Sequence, residues 1–365
     1  MRLAVLGAGH IGRAIARLLA RSGDYEVTVV DRSAEALADL AAEPLTRLQA
    51  ETGDAAALER VLRGQEAVVN ALPYYLATLA ATQARRGGCH YFDLTEDVAA
   101  TRAIRALAAD ADTVFMPQCG LAPGFIGIVA HHLAQGFDAL HDLKMRVGAL
   151  PAFPTNSLKY NLTWSVDGLI NEYCQPCEAV RDGQKIEVLP LEGFEHFSVD
   201  GIEYEAFNTS GGLGTLCETL AGRVRNLDYK SVRYPGHRAL MKMLLEELQL
   251  ARDQETLKTI MRRAIPSTMQ DVVLVFVTAS GMKGGSLVQE VFARKIFAER
   301  EDGAAPQSAI QITTAAALCA AVDLFREGRL PQRGFVAQEQ IKLPEFLANR
   351  YGRAYEQFRQ VESIC

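Results

Sequence analysis

The sequence predicts an α/β chain of two domains, a parallel sheet wound with helices followed by a mixed α/β domain. Three observations carry this. Over the first 120 residues short apolar runs alternate with helical patterns, and parallel strands need such crossovers. After Gly120 the pattern changes to longer alternating strands. The length of 365 residues is about twice that of a common domain.

The first run, Leu3 to Leu6, ends in Gly7-Ala8-Gly9-His10-Ile11-Gly12, and a helical pattern follows with Ile15, Leu18 and Leu19 on one face. This is G-x-G-x-x-G between a strand and a helix. Gly7 permits the tight turn, Gly9 leaves room for a pyrophosphate and Gly12 lets helix and strand approach. The free amides at the helix start, His10 and Ile11 among them, face the phosphate charge. Glu26 to Val30 is the next strand and ends on Asp31, nineteen positions after Gly12. That is the spacing of the acid that accepts a ribose 2'-hydroxyl. A carboxylate there repels a 2'-phosphate, so NAD is favoured over NADP, and Arg32 beside it softens the preference.

Leu45 to Gln49 reads as a third strand, and Asp54 opens a helix over Ala55 to Leu62. Asp54 either caps that helix or hydrogen-bonds the adenine amine. Ala67 to Ala71 is the fourth strand and runs into Leu72-Pro73, which puts Asn70, Ala71 and Pro73 on the nicotinamide side. His90 to Phe92 ends at Asp93, and Thr113 to Met116 ends at Pro117-Gln118-Cys119-Gly120. Residues 1–121 are therefore read as a Rossmann dinucleotide-binding domain with NAD as its cofactor.

The substrate domain, 122–333, opens with a helix from Pro123-Gly124 to about Leu133 and a strand over Asp142 to Leu150. A helix over Thr163 to Tyr173 follows. Strands are expected at Gln184 to Leu189, Arg223 to Val232, Asp271 to Ser280 and Leu287 to Ala298, with helices at Ala239 to Leu250 and Ala309 to Phe325. Residues 334–365 are expected to cross back onto the nucleotide domain. The substrate then lies in a cleft between the domains.

Hydride transfer asks the protein for close approach, a proton acceptor and exclusion of water. Asp93 and Cys119 follow parallel strands and face the cleft, Asp93 as a base or amine ligand and Cys119 as a small polar wall. Gln118 and Asn70 are candidates for the nicotinamide amide or the substrate. Trp164, the single tryptophan, is a candidate wall beside Tyr160. In Arg233-Tyr234-Pro235-Gly236-His237, Arg233 suits a substrate carboxylate and His237 suits proton transfer near neutrality. Each has a plainer reading as a cap, a core residue or a solvated turn. Cys174-x-x-Cys177 has no second pair at zinc spacing, so no metal is assigned.

A net charge of -6 argues against nucleic-acid partners, and no uninterrupted apolar run of about eighteen residues predicts a membrane span. Seven scattered cysteines and the absence of a secretory pattern read as a cytoplasmic protein with reduced thiols.

The segments VLGAGHIG, VVNALPYYL, YFDLTED, PQCGLAPGF, NLTWSVDGLINEYCQPCEAV, SGGLGTL and LDYKSVRYPGH resemble the saccharopine dehydrogenase-like oxidoreductases. The likeness is strongest to members that oxidise carbon 6 of L-lysine. It implies a Rossmann domain, a mixed α/β substrate domain, a homodimer and a small amino-acid substrate. The implied reaction is oxidative deamination of the ε-amino group by NAD, giving a 6-semialdehyde that cyclises to piperideine-6-carboxylate. The alternative is a saccharopine-type dehydrogenase or reductase acting on a secondary amine; a reading of another class is a dinucleotide-binding sensor without turnover. By resemblance Asp93, Cys119 and Gly120 fall on substrate-facing loops and Arg233 on a carboxylate-binding segment.

Overall fold

In the computed structural model, which describes residues 1–299 and 306–356, the nucleotide domain holds β1 (Arg2–Leu6), α1 (His10–Arg21), β2 (Glu26–Asp31), α2 (Ala34–Ala38), β3 (Thr46–Gln49), α3 (Ala55–Leu62), β4 (Ala67–Asn70), α4 (Ala77–Gly87), β5 (His90–Asp93), α5 (Val98–Ala108) and β6 (Val114–Met116). The strands pair in parallel in the order β6-β5-β4-β1-β2-β3. This is the doubly wound order of a Rossmann fold, with its switch point between β1 and β4. Strand β4 and all of β1 past Arg2 are buried, so both read as unbroken apolar runs, whereas edge strand β3 is exposed along its length and reads as polar.

The second part begins with α6 (Phe125–Ala134), β7 (Ala139–Pro151), α7 (Val166–Cys174), β8 (Cys177–Arg181), β9 (Gln184–Val188), β10 (Glu195–Val199) and β11 (Ile202–Asn208). It continues with α8 (Leu216–Thr219), β12 (Val224–Arg233), α9 (His237–Lys242), α10 (Gln254–Ala264), β13 (Asp271–Lys283) and β14 (Ser286–Phe297). Its strands run β10-β11-β12-β7-β13-β14, with β8 beside β12 and β9 beside β8. Only β7 and β12 pair in parallel.

Three differences from the expected elements have local causes. The helix expected at Ala239 to Leu250 starts earlier, at His237, and loosens into a π-turn at Met243–Glu247; Gln249 then takes a left-handed φ of 56° and ends the run. Helix α10 was not anticipated, although Asp253 caps it and Leu257 and Met261 bury one face. The helix expected from Thr163 begins at Val166, where the Ser165 hydroxyl accepts the Gly168 amide.

The chain returns through α11 (Ala309–Arg326), β15 (Gly334–Phe335) and α12 (Leu343–Ala348). Strand β15 pairs in parallel with β6 and makes the nucleotide sheet seven-stranded. Of the expected return over 334–365, positions 357–365 lie outside the described residues. Helix α11 is capped by the Ser308–Gln311 box and by Asp271, whose carboxylate accepts the Ala309 and Ile310 amides at 2.5 and 3.0 Å. By length and composition α11 could cross a bilayer, but nearly all of it is buried, and it packs against α1, β5 and β13. One hydrophobic core thus runs from Leu3 and Ile15 through Leu318 to Val273 and Val275.

Candidate active site

The glycine turn fits a dinucleotide. Gly7 has φ +99°, and a side chain there would press on the Ala71 carbonyl at 2.9 Å. A Cβ at Gly12 would lie 1.9 Å from the Gly7 carbonyl oxygen, so any side chain would force α1 away from the strand. Beside Gly9, by contrast, the space is open, and no side chain caps the first amides of α1. Open space in front of uncapped amides is what a pyrophosphate requires. Asp31 stands next to this turn, accepting the Ala8 amide at 2.7 Å and the Ser33 amide at 2.8 Å. Arg32 is exposed beside it, and Ala71 and Pro73 form the opposite rim.

Two expected cofactor ligands are engaged elsewhere. The Asp54 carboxylate caps α3 through the Ala56 and Ala57 amides, which resolves its two readings toward the cap. Asn70 is directed inward. Its Oδ1 accepts the Leu72 amide and its Nδ2 donates to the Tyr91 hydroxyl at 3.1 Å, because the buried end of β4 leaves these groups no water.

The Tyr91 hydroxyl in turn donates to Asp93 Oδ2 at 2.9 Å, while Oδ1 accepts the amides of Thr95 and Gln118 at 3.0 and 2.9 Å. Burial pushes the Asp93 carboxyl up to about 6, against the pull of these three donors. Cys119 corrects its expected place in the pocket wall. Its thiol turns into the core, donating to the Met116 carbonyl at 3.1 Å and accepting Gln338 Nε2 at 2.9 Å, and burial holds it protonated. Gly120 is likewise spent on the turn into α6, its amide on the Pro123 carbonyl and its carbonyl on the Phe125 amide.

The opposite wall is built by α7, the end of β12 and the segment before α7. Arg233 is buried at the last position of β12. Its Nε donates to the Tyr173 hydroxyl at 3.0 Å and its Nη1 to the Val232 carbonyl at 2.8 Å, with the Tyr160 ring 5.2 Å from the guanidinium. Two of five donors are thereby used, and the fork retains capacity for a carboxylate. Burial disfavours its charge, but Tyr173, Tyr160 and Glu172 hold its pKa above the usual range.

His237 does not suit the proton-transfer role its side chain suggests. Burial and the neighbouring Arg233 charge push it down to about 3. Its Nδ1 donates to the Leu158 carbonyl at 2.9 Å, so Nε2 is left to accept the Tyr173 hydroxyl at 3.1 Å. The neutral ring fixes Tyr173, and Tyr173 fixes Arg233.

Three buried polar atoms in one short stretch, Tyr160 Oη, Asn161 Oδ1 and Thr163 Oγ1, have no hydrogen-bond partner among the described residues. Trp164 and Thr163 lie beside the Tyr160 hydroxyl without closing a hydrogen bond to it. Polar atoms buried in this way call for a partner, from water or from a ligand. Trp164 covers Gly168 of α7, where a Cβ would lie 2.5 Å from the indole ring and 3.0 Å from Glu96 Oε1. Both Trp164 and Glu96 therefore occupy the seam between the domains.

Glu96 and Glu172 are site residues that no sequence expectation names. Burial raises Glu96 to about 7, with Asp97 and Asp93 adding to the effect. Glu172 lies well above the carboxylate range, through burial first and Glu96 second, with Arg233 opposing. No spacing signal links residues seventy-six positions apart. A glutamate on the buried stripe of a helix was the one available hint.

A glycine-cradled crevice with open space before uncapped helix amides defines a dinucleotide-binding oxidoreductase fold. The comparisons then place the chain: residues 3–116 match the saccharopine dehydrogenase NADP binding domain and residues 120–352 the saccharopine dehydrogenase C-terminal domain, so it belongs to the saccharopine dehydrogenase family. It is similar to saccharopine dehydrogenase (L-Glu forming) from Saccharomyces cerevisiae, with a TM-score of 0.77 and 17% identity over 96% of this chain and 98% of that one. It is also 23% identical over 199 residues to mouse mitochondrial alpha-aminoadipic semialdehyde synthase, matching 51% of this chain and only 21% of that longer protein.

Proposed function

We propose that the protein oxidises the ε-carbon of L-lysine with NAD, the reaction of a lysine 6-dehydrogenase. The observation that carries this is the charge balance of the cleft. Asp93, Glu96 and Glu172 follow one another along the seam between the domains, and among the described residues the only cation acting on any of the three is Arg233. A substrate with two amines and one carboxylate complements that arrangement. Bound NAD supplies the hydride acceptor. Arg233 anchors the α-carboxylate, the Tyr173–His237 chain holds Arg233 in place, and Asp93 receives the proton released as the amine becomes an imine. Water then adds to the imine carbon. The balance is lysine, NAD and water to the 6-semialdehyde, ammonia, NADH and a proton. Asp31 supports NAD over NADP by charge, since a 2'-phosphate would meet its carboxylate.

A second reading, a saccharopine-type dehydrogenase or reductase acting on a secondary amine, is favoured by both family matches and by the yeast relative's shape. Its substrate brings additional carboxylates, which need a further cation beside Arg233. Purified protein with NAD and L-lysine or saccharopine separates them. Lysine-dependent NADH with equal ammonia release supports the first reading, and turnover of saccharopine alone overturns it.

A further inference from the structure

An α-amino acid carries its ammonium and its carboxylate on one carbon. A site that recognises that end needs an anion and a cation side by side, each aimed at the ligand rather than spent on the protein. On α7, Glu172 and Tyr173 are consecutive, and the Tyr173 hydroxyl fixes Arg233 at 3.0 Å. Glu172 is 94% buried, and no protein group donates a hydrogen bond to its carboxylate among the described residues. Its backbone is anchored independently, its carbonyl accepting the Ser210 amide at 3.0 Å. Without a donor this buried carboxyl is held in its protonated form, and an ammonium arriving with the ligand stabilises the ionised one. The Tyr160 ring stands on the same wall, 5.2 Å from the Arg233 guanidinium.

One helical turn before Glu172, Gly168 receives Glu96 Oε1 from the nucleotide domain. Positions four apart share a helix face, so the carboxylates of Glu96 and Glu172 face one another across that seam. A Cβ at Gly211 would lie 2.3 Å from the Glu96 carbonyl oxygen, so the loop holding Glu96 is seated against both glycines. The order of ionisable groups along the seam is then Asp93, Glu96, Glu172 and Arg233.

We propose that Glu172 binds the substrate's α-ammonium beside Arg233, so that the two side chains clamp a zwitterionic α-amino-acid end and make the cleft selective for it. Glu96 stands between that end and the reacting amine near Asp93. The proposal rests on the lysine reading for the far end of the substrate, but the clamp itself requires only a free α-amino acid, which an ε-N-substituted lysine also offers.

The experiment compares L-lysine with 6-aminohexanoate, which lacks only the α-amine, on wild-type enzyme and on Glu172→Gln. Turnover is read with NAD, and binding is read by calorimetry on the NADH-loaded enzyme. Wild type should prefer lysine by roughly 100-fold in both, the scale of an unpaired buried charge. Glu172→Gln should lose most of that preference through KM, leaving 6-aminohexanoate within about threefold of wild type. Equal losses on both ligands would assign Glu172 a structural or proton-transfer role and overturn the clamp. A wild type that binds both ligands alike overturns it without the variant, even if that variant fails to fold. Selective binding of lysine with turnover of saccharopine alone would sink the lysine reading and keep the clamp. Failure of wild type to bind either ligand sinks the clamp itself.

Discussion

Asp93 is the residue at which the chemistry and the pH dependence meet. A carboxyl raised to about 6 is protonated below that pH and ionised above it. As a proton acceptor it must be ionised, so kcat/KM for lysine should climb as pH rises through about 6, and Asp93→Asn should remove that limb while lowering the rate about 100-fold or more. A profile of Asp93→Asn that keeps the limb would move the base elsewhere. The stability sign is the reverse. The folded chain binds this proton more tightly than the unfolded chain does, so the Asp93 contribution falls as pH rises from 3.8 to about 6. Arg233 and His237 form the second residue-scale test. Arg233→Lys loses the planar fork and should raise KM for lysine about 100-fold. His237→Gln should raise KM more modestly and leave the limb near 6 intact, because the ring is already neutral there. A lost limb in that variant would restore His237 as the titrating group.

At the scale of elements, the Rossmann half was legible because its signals are local. The glycine turn, the acid at the end of β2 and the paired strand ends all sit within a few residues of what they define. Asp31→Ser therefore tests an element-scale statement: the ratio of NADP to NAD use should rise at least tenfold when the carboxylate is removed. An unchanged ratio would mean that Asp31 serves only to tie Ala8 to Ser33.

The second half is less legible, because its hairpins and short helix rest on brief turn and cap signals. Asp182-Gly183 and Asp200-Gly201 both have left-handed φ at each position and turn the β8–β9 and β10–β11 hairpins. Such dipeptides are strong hairpin signals, yet β8, β10 and β11 were not expected. Asp253 before Leu257 and Met261 announced α10 in the same way. The inward turn of Cys119 and the engagement of Asn70 had no such signal, since Gln338, which meets Cys119, comes from 219 residues further along.

Over the whole molecule, the returning chain ties the domains together behind the cleft. Gln338 reaches the Pro117 carbonyl and Cys119, and the adjacent Glu339 accepts the hydroxyls of Thr215 and Thr219. Arg102 pairs with Glu178 at 2.9 Å, and Arg105 pairs with Glu218, across the same boundary. At the far end of α11, Asp323 accepts Tyr25 at 2.7 Å, Asn349 at 2.9 Å and Arg350 at 2.7 Å, which pins the return to α1 and β2. Asp323→Asn leaves those donors short of a charged acceptor and should cost about 2–4 kcal/mol in urea unfolding. A loss near zero would show that the return is held by its apolar packing alone.

The central claim is that the reacting bond lies at carbon 6 of lysine, at the opposite end from the Arg233 anchor. L-lysine carrying deuterium on carbon 6, incubated with enzyme and NAD, tests it directly by mass spectrometry of the reduced cofactor. Deuterium in the NADH and a slower rate than with unlabelled lysine are the expected result. Deuterium recovered in NADH only from lysine labelled at carbon 2 would mean that the substrate lies the other way round and would contradict it.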